Sequence, residues 1–285
     1  HEQNIDPIIK FTAIQKIKLA SWLQITKTID DEDNDEKFSR ADFNIKCDWK
    51  NVLPYQMDDS ITVNPKFFSF DIEAYSSNHN AKISDPTILE NKIVCIGVVT
   101  GRYNEPDLRK IIITLYDISP IKDVEIIKVK NESELLISFA SLIRIEEDPD
   151  DIIGYNISKF DWNYIIKRAH LLDKTYGDVY NRAMNFNRTI GKISEEKTVS
   201  WSSGAYSEQE FKYPDTVGRI MVDIILEVER NYKLSKYDLN SVATEFLKKK
   251  KEDMTAKQLF KFIQVIDEIL INYMNQKIIN SKQIK

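Results

Sequence analysis

Phe67-Phe68-Ser69-Phe70-Asp71-Ile72-Glu73 is the stretch that decides the fold, because it combines a strand pattern with two acidic side chains. Residues i and i+2 of a strand point to the same face of a sheet. The pattern therefore predicts a strand whose Asp71 and Glu73 share one face, together with Ser69. The opposite face is predicted to enter the core, and it carries Phe68, Phe70 and Ile72.

A third acid, Asp161, follows the turn Gly154-Tyr155-Asn156-Ile157-Ser158-Lys159-Phe160 and is predicted to lie in the first turn of a helix. Two carboxylates held side by side repel, and one pKa rises unless a cation lies between them. Hard divalent cations such as Mg²⁺ bind oxygen ligands of this kind. Taken singly, each acid is more typical of a solvated or helix-capping residue. Acids at the ends of such elements can converge where α/β strands end, so the combination indicates metal-assisted cleavage of a phosphodiester.

The composition is that of an acidic protein with a sizeable core. The chain has 285 residues, of which 42% are hydrophobic and 30% charged, with a formal net charge of −5. This balance is a poor global signature of nucleic-acid binding, which favours basic surfaces, although a local groove matters more than the sum. Two cysteines, three histidines and no Cys-x-x-Cys argue against zinc. No apolar run approaches about 18 residues, so no membrane span is expected.

Strand patterns come first along the chain and then alternate with helical patterns, which predicts an α/β domain with a mixed sheet. Asn131 is predicted to cap a helix, with Glu134 as its capping-box partner. A last helix is predicted to begin at Thr255. Residues 14–26 alternate like a strand, whereas residues 173–218 are polar and predicted to be irregular. Further strands are predicted at 92–100, 111–116, 124–129, 151–156 and 219–223.

These motifs resemble the 3′–5′ proofreading exonuclease region of family B DNA polymerases, of the eukaryotic delta type and of large DNA viruses. Phe68–Glu73 resembles the first exonuclease motif, and Asp151–Asn156 continued to Phe160-Asp161 resembles the second. Several further segments are similar to the family in order and spacing. They are 17–22, 47–49, 202–206, Asp223, 232–234, 237–240 and 251–254.

The resemblance implies an RNase H-like exonuclease domain over residues 66–264, with a mixed central sheet flanked by helices. A partial β-rich segment, residues 1–65, would be a remnant of the polymerase N-terminal domain, and residues 265–285 a divergent or truncated tail. The chain begins with His1 rather than Met, and we expect a fragment or a processed chain. The implied location is intracellular, in a nucleus or at a viral replication site.

The resemblance also implies a two-metal hydrolysis in which Asp71, Glu73 and Asp161 hold two Mg²⁺ ions, with Mn²⁺ as an alternative. Asn156, Phe160 and Tyr155 would bind substrate beside the frayed single strand, although Phe160 is equally typical of a core residue. The implied partners are the 3′ end of single-stranded DNA and primer–template DNA. The palm, fingers and thumb of the polymerase are normally in the same chain.

The third motif of the family, a Tyr followed four residues later by an Asp ligand, is missing after Lys251. Asp267 lies on an apolar stretch, but Ile263 stands where the Tyr is expected. Truncation, frame disruption or decay explains this better than a working variant that uses Asp267. Two alternatives therefore stay open beside the exonuclease. They are a catalytically impaired DNA-binding or scaffold module with an incomplete metal site, and a stand-alone nuclease acting on RNA.

Overall fold

The chain divides into two compact units, His1–Asn64 with Arg188–Gly191, and Pro65–Asn187 with Lys192–Lys285. A computed structural model describes residues 4–18, 21–29, 37–58, 61, 63–78, 80–203, 206–249, 258–261 and 263. The predicted tail, residues 265–285, and the predicted helix start at Thr255 lie outside the described residues. The assignment of the first unit to a polymerase N-terminal domain stays a prediction.

The first unit contains helix α1 (Pro7–Gln15) and a two-stranded antiparallel sheet of β1 (Leu23–Ile25) and β2 (Val52–Pro54). The Asp6 side chain caps α1 by accepting hydrogen bonds from two amides of its first turn, and a proline occupies the N1 position. The predicted strand over residues 14–26 is therefore wrong at its beginning. The cap and the proline start a helix that runs to Gln15 and overrides the local alternation.

The second unit is built on a six-stranded mixed sheet with the order β10-β7-β3-β4-β5-β6. Its strands and a separate hairpin are β3 (Lys66–Ala74), β4 (Ile93–Arg102), β5 (Arg109–Thr114), β6 (Glu125–Lys128), β7 (Asp151–Gly154), β8 (Glu196–Ser203), β9 (Tyr206–Pro214) and β10 (Ile220–Asp223). Strand β3 pairs antiparallel with β4 and parallel with β7. The mixed sheet predicted from the sequence is confirmed.

Helices pack beside this sheet. They are α2 (Glu132–Ser141), which continues as a π-helical turn (Leu142–Glu147), α3 (Asp161–Tyr176), α4 (Tyr180–Ala183), α5 (Ile224–Asn231) and α6 (Leu239–Leu247). Asn131 begins α2 as predicted, because its side chain accepts the Glu134 amide at 2.9 Å. Helix α3 begins at Asp161, which confirms the predicted position of that acid. Among the described residues, none of the helices combines the length and the apolar character needed to cross a bilayer.

Strand β3 has the two faces that its sequence predicts. Phe68, Phe70 and Ile72 are at most 4% exposed. The Phe70 ring centroid lies 4.9 Å from that of Trp162 on α3 and 5.0 Å from that of Phe139 on α2. Burial of each such side chain stabilises the fold by about 1.5–3 kcal/mol. This layer holds α2 and α3 against one face of the sheet and leaves the acids on the other.

Arg168 ties the loop between β3 and β4 to helix α3. The Arg168 side chain is fully buried, and its guanidinium donates to the Glu132 carboxylate at 2.5 and 2.9 Å. It also donates to three carbonyl oxygens of the loop, those of Pro86, Ile88 and Leu89, at 2.7–3.1 Å. A buried charge is tolerated only when it is paired and hydrogen-bonded. The loop that follows the acid-bearing strand is therefore held in one position.

Gly154 is the last residue of β7, and its surroundings leave no room for a side chain. A Cβ at this position would lie 2.3 Å from Ile157 Cγ2 and 3.2 Å from the carbonyl oxygen of Phe70. Ile157 is buried and β-branched, so it cannot turn away without strain. We expect Gly154→Ala to lower the free energy of unfolding by about 1–3 kcal/mol, measured by urea denaturation. Gly97→Ala is the control, since nothing lies within 4 Å of a Cβ there. Equal losses in the two variants would contradict this account.

The prediction that residues 173–218 are irregular is wrong. Besides α4, this segment forms the antiparallel hairpin of β8 and β9, in which Glu196 pairs with Pro214 and Val199 with Phe211. Polar residues occupy most positions of both strands, so neither has the apolar alternation by which a half-buried strand is recognised. Main-chain pairing defines this hairpin, and composition does not reveal it.

Candidate active site

Asp71 and Glu73 lie on the face of β3 opposite the core, as predicted. Their partners on β4 are Gly97 beside Asp71 and Cys95 beside Glu73. Asp71 is exposed and Glu73 half-buried. A Cβ on Gly97 would meet no atom within 4 Å, so the surface next to Asp71 is open. Asp71 therefore stands at the edge of a space that a ligand can enter.

Asp161 is brought to this pair from the start of α3. Its Oδ1 accepts a hydrogen bond of 3.1 Å from the amide of Ile72, the residue between Asp71 and Glu73. Strand β3 pairs with β7 only as far as Ser69. Beyond that point the carboxylate of Asp161 provides an acceptor for the strand. The start of α3 therefore contacts the strand that carries the other two acids, and the gathering of the three carboxyl groups around shared ions stays a prediction.

Burial and nearby negative charge raise the pKa values of two groups here, Asp161 and Cys95. Asp161 is 2% exposed, and its burial, together with the nearby charge of Asp71, raises the pKa of its carboxyl group to about 8. The pKa of the Cys95 thiol is raised to about 12, first by burial and then by the charges of Glu73 and Asp71. A cation bound at this face would favour the ionised form of both groups.

Two of the three predicted substrate residues share a cavity with Asp71. Tyr155 and Asn156 line the same cavity as Asp71, with a volume of about 880 Å³. The Tyr155 hydroxyl donates to the carbonyl oxygen of Tyr237. Phe160 is half-buried, packs against the core, and its ring centroid lies 5.9 Å from that of Tyr164. The substrate-binding roles of Tyr155, Asn156 and Phe160 stay predictions. The packing of Phe160 against the core favours its alternative role as a core residue.

Asp223 has no role predicted from the sequence beyond its similarity to the family. It is 6% exposed and ends β10, which runs parallel to β7 with Asp223 opposite Gly154. Its carboxylate accepts the amide of Asn156 at 2.7 Å and the amide of Ser158 at 2.9 Å. One signal could have found it, because carboxyl ends of neighbouring parallel strands meet at one edge of a sheet.

A metal ion fits the paired acids by chemistry, because carboxylate oxygens beside open space suit a hard divalent cation. Burial is the largest cause of the raised pKa of Asp161, and the charge of Asp71 adds to it. Among the described residues, no three His, Cys, Asp or Glu side chains form a group that could hold a metal. Asp267 lies outside them. The assignment of Asp71, Glu73 and Asp161 as metal ligands stays a prediction.

Comparison with known proteins gives the family. The model of the DNA polymerase family B exonuclease domain matches residues 1–242. The chain is 28% identical over 271 residues to DNA polymerase 120R of Invertebrate iridescent virus 3, covering 92% of this chain and 23% of the relative. It is 34% identical over 189 residues to the DNA polymerase delta catalytic subunit of Glycine max, covering 66% of this chain and 16% of the relative.

The delta catalytic subunit of Plasmodium falciparum is 30% identical over 259 residues, which cover 89% of this chain and 23% of that protein. The chain thus spans about a fifth of the length of the curated relatives it matches. The six-stranded mixed sheet with its flanking helices is consistent with an RNase H-like fold. From the matched residues and this architecture, the chain belongs to the exonuclease domain family of the family B DNA polymerases.

Proposed function

We propose that this region is a 3′–5′ proofreading exonuclease that removes terminal nucleotides from the 3′ end of single-stranded DNA. The observation that carries the proposal is the hydrogen bond from the Ile72 amide to Asp161. It joins the second motif to the strand that bears Asp71 and Glu73. Family B exonuclease domains are generally metal-dependent, and a cluster of acids is the feature that such chemistry requires.

Asp71, Glu73 and Asp161 would hold two Mg²⁺ ions, with Mn²⁺ as an alternative. When bound, the ions supply activation of water and charge neutralisation at the leaving oxygen. The protein itself contributes position. The burial of Asp161 and its bond to Ile72 fix one carboxylate, while the open surface beside Gly97 would admit the substrate.

The DNA end would enter the cavity beside Asp71. Tyr155 offers an aromatic ring, and bases stack on such rings without regard to sequence. The Asn156 Oδ1 is buried, and no described group donates to it. Because a buried acceptor without a donor costs free energy, this oxygen suits a hydroxyl or amino group of the terminal nucleotide. Primer–template DNA and the polymerase palm, fingers and thumb stay predicted partners.

The direct test is digestion of a 5′-labelled single-stranded DNA oligonucleotide by the full chain, beside an RNA of the same sequence. Since no third-motif Asp is found at its expected spacing, we expect weak, Mg²⁺-dependent shortening of the DNA from its 3′ end, stopped by EDTA. Preference for the RNA would favour the stand-alone nuclease. No digestion, together with no Mg²⁺ or Mn²⁺ binding in a calorimetric titration, would favour the impaired DNA-binding module.

The role of Asp267 is tested in the same assay. Digestion that survives Asp267→Ala but not Asp71→Ala would show that the site works without a ligand at that position. Loss in both variants would make Asp267 the missing third-motif acid. Both variants replace an Asp by Ala and are compared with the same wild-type chain. The ratio of their rates therefore decides the question even if the wild-type rate is low.

A further inference from the structure

Asp223 makes contacts that its place at the start of a helix does not require. It is the N-cap residue of α5, yet its side chain makes no capping hydrogen bond to that helix. An Asp at this position ordinarily accepts an amide of its own first turn. Both carboxylate oxygens are instead directed to another segment, where they accept the amides of Asn156 and Ser158.

The two bonds determine the shape of the segment Asn156–Ser158. Asn156 has a φ of 63°, in the left-handed region that a non-glycine residue adopts only when its surroundings enforce it. Asp223 is 6% exposed, so its bonds to the two amides are shielded from water. Bonds to an ionised acceptor are about twice as strong as neutral ones. Without this carboxylate, the amides of Asn156 and Ser158 would lose their hydrogen-bond acceptor. The left-handed backbone of Asn156 would then no longer be held by these bonds.

The segment leads directly into the start of α3. The amide of Phe160 donates to the carbonyl oxygen of Asn156 at 3.1 Å, and that of Trp162 to the carbonyl oxygen of Ile157 at 2.9 Å. Asp161 stands between these two anchored amides. The position of the Asp161 carboxylate relative to the Ile72 amide therefore depends on the position of the segment Asn156–Ser158.

We propose that Asp223 is a positioning residue of the nuclease site, which holds the segment Asn156–Ser158 so that Asp161 meets strand β3 beside Asp71. The role is exerted through the backbone, without contact with the reacting atoms. Since Asp161 is a predicted metal ligand, this role rests on the function proposed above. Whether Asp223 positions Asp161 can be measured by amide hydrogen exchange, which requires neither catalysis nor a metal.

The first test is amide hydrogen exchange, followed by NMR, in the full chain carrying Asp223→Asn. An Asn can accept one of the two amides but turns an NH₂ group towards the other. We expect exchange at Asn156 and Ser158 to become faster, on the order of 10-fold. We also expect faster exchange at Ile72, because its acceptor Asp161 is displaced. A change at Asn156 and Ser158 with Ile72 unaltered would overturn the proposal, since Asp223 would then be only a local brace.

Asp173→Asn is the matched control. The Asp173 carboxylate also accepts two main-chain amides, those of Val179 and Tyr180, both at 2.9 Å. It lies near the opposite end of α3 from Asp161. This variant loses the same kind of contact, and we expect it to leave exchange at Ile72 as in the wild type. Faster exchange at Ile72 in both variants would reveal general loosening of α3 and would also overturn the proposal.

The second test is calorimetric titration with Mn²⁺ in the absence of DNA. Residues that orient metal ligands typically change metal affinity 10–100-fold when they are replaced. We expect a loss of about this size in Asp223→Asn and none in Asp173→Asn. Unchanged affinity in Asp223→Asn would count against the proposal. If the wild type binds no Mn²⁺, the nuclease function fails, and exchange at Ile72 alone decides the positioning role.

Discussion

Asp71→Asn and Asp161→Asn are each expected to reduce Mg²⁺-dependent cleavage of single-stranded DNA by about 10³-fold or more. Both substitutions keep the size of the side chain and remove one negative charge. An Asn at position 161 can still accept the Ile72 amide through its Oδ1, so the strand and helix stay joined. The expected loss arises because phosphoryl transfer depends mostly on positioning and charge neutralisation. It is measured with protein in excess over a 5′-labelled oligonucleotide.

Asp150→Asn is the control for this loss. The Asp150 carboxylate accepts the amide of Lys66 at 2.8 Å, at the other end of strand β3. It matches the active-site acids in charge and in contact with the same strand. We expect its cleavage rate to stay within a few-fold of the wild type. Rates that fall equally in all three variants would trace the loss to the sheet and would remove the acids from the proposed chemistry.

Asp161→Asn is also expected to stabilise the protein at pH 8 in the absence of divalent ions. Burial and the charge of Asp71 raise the pKa of Asp161 to about 8 in the folded protein, against about 4 in an unfolded chain. Below pH 4 the group is protonated in both states and no charge is buried. As the pH rises from about 4 towards 8, Asp161 loses its proton in the unfolded chain but keeps it in the folded protein. The folded wild type therefore loses stability across that range, and the variant avoids this loss.

The size of the effect follows from the shift, at about 1.4 kcal/mol for each pKa unit. We expect the variant to exceed the wild type by several kcal/mol of unfolding free energy at pH 8 and by almost nothing at pH 4. Urea denaturation in EDTA at several pH values gives this difference. Added Mg²⁺ should then stabilise the wild type at pH 8 but not the variant. A difference that does not change with pH would show that burial and the charge of Asp71 do not raise the pKa of Asp161 in the folded protein.

Local signals in the sequence were sufficient for several elements. The alternation over Phe67–Glu73 predicted strand β3 and both of its faces, because side chains of a strand alternate with period 2. The residues Asn131 and Glu134 marked the start of α2, because the short side chain of Asn satisfies a free amide. The turn before Asp161 marked the start of α3. In each case the deciding interaction joins residues a few positions apart.

Other features could not be predicted because their interactions join distant segments. The hairpin of β8 and β9 pairs main-chain groups and has little apolar pattern. Asp223 resembles an ordinary helix cap until β10 is placed beside β7. Helix α1 is a different case, because its deciding contact is local: the Asp6 side chain caps it, whereas the alternation near Ile14 predicted a strand.

The sequence by itself determined which acids are available, the strand that presents Asp71 and Glu73, and the helix that begins with Asp161. These follow from periodicity and capping, which act over one or two turns of chain. Only the tertiary structure decided that Asp161 meets the Ile72 amide and that Asp223 supports the segment leading to it. Those contacts require the parallel alignment of β10, β7 and β3, and sheet order is set by packing between elements that are far apart along the chain.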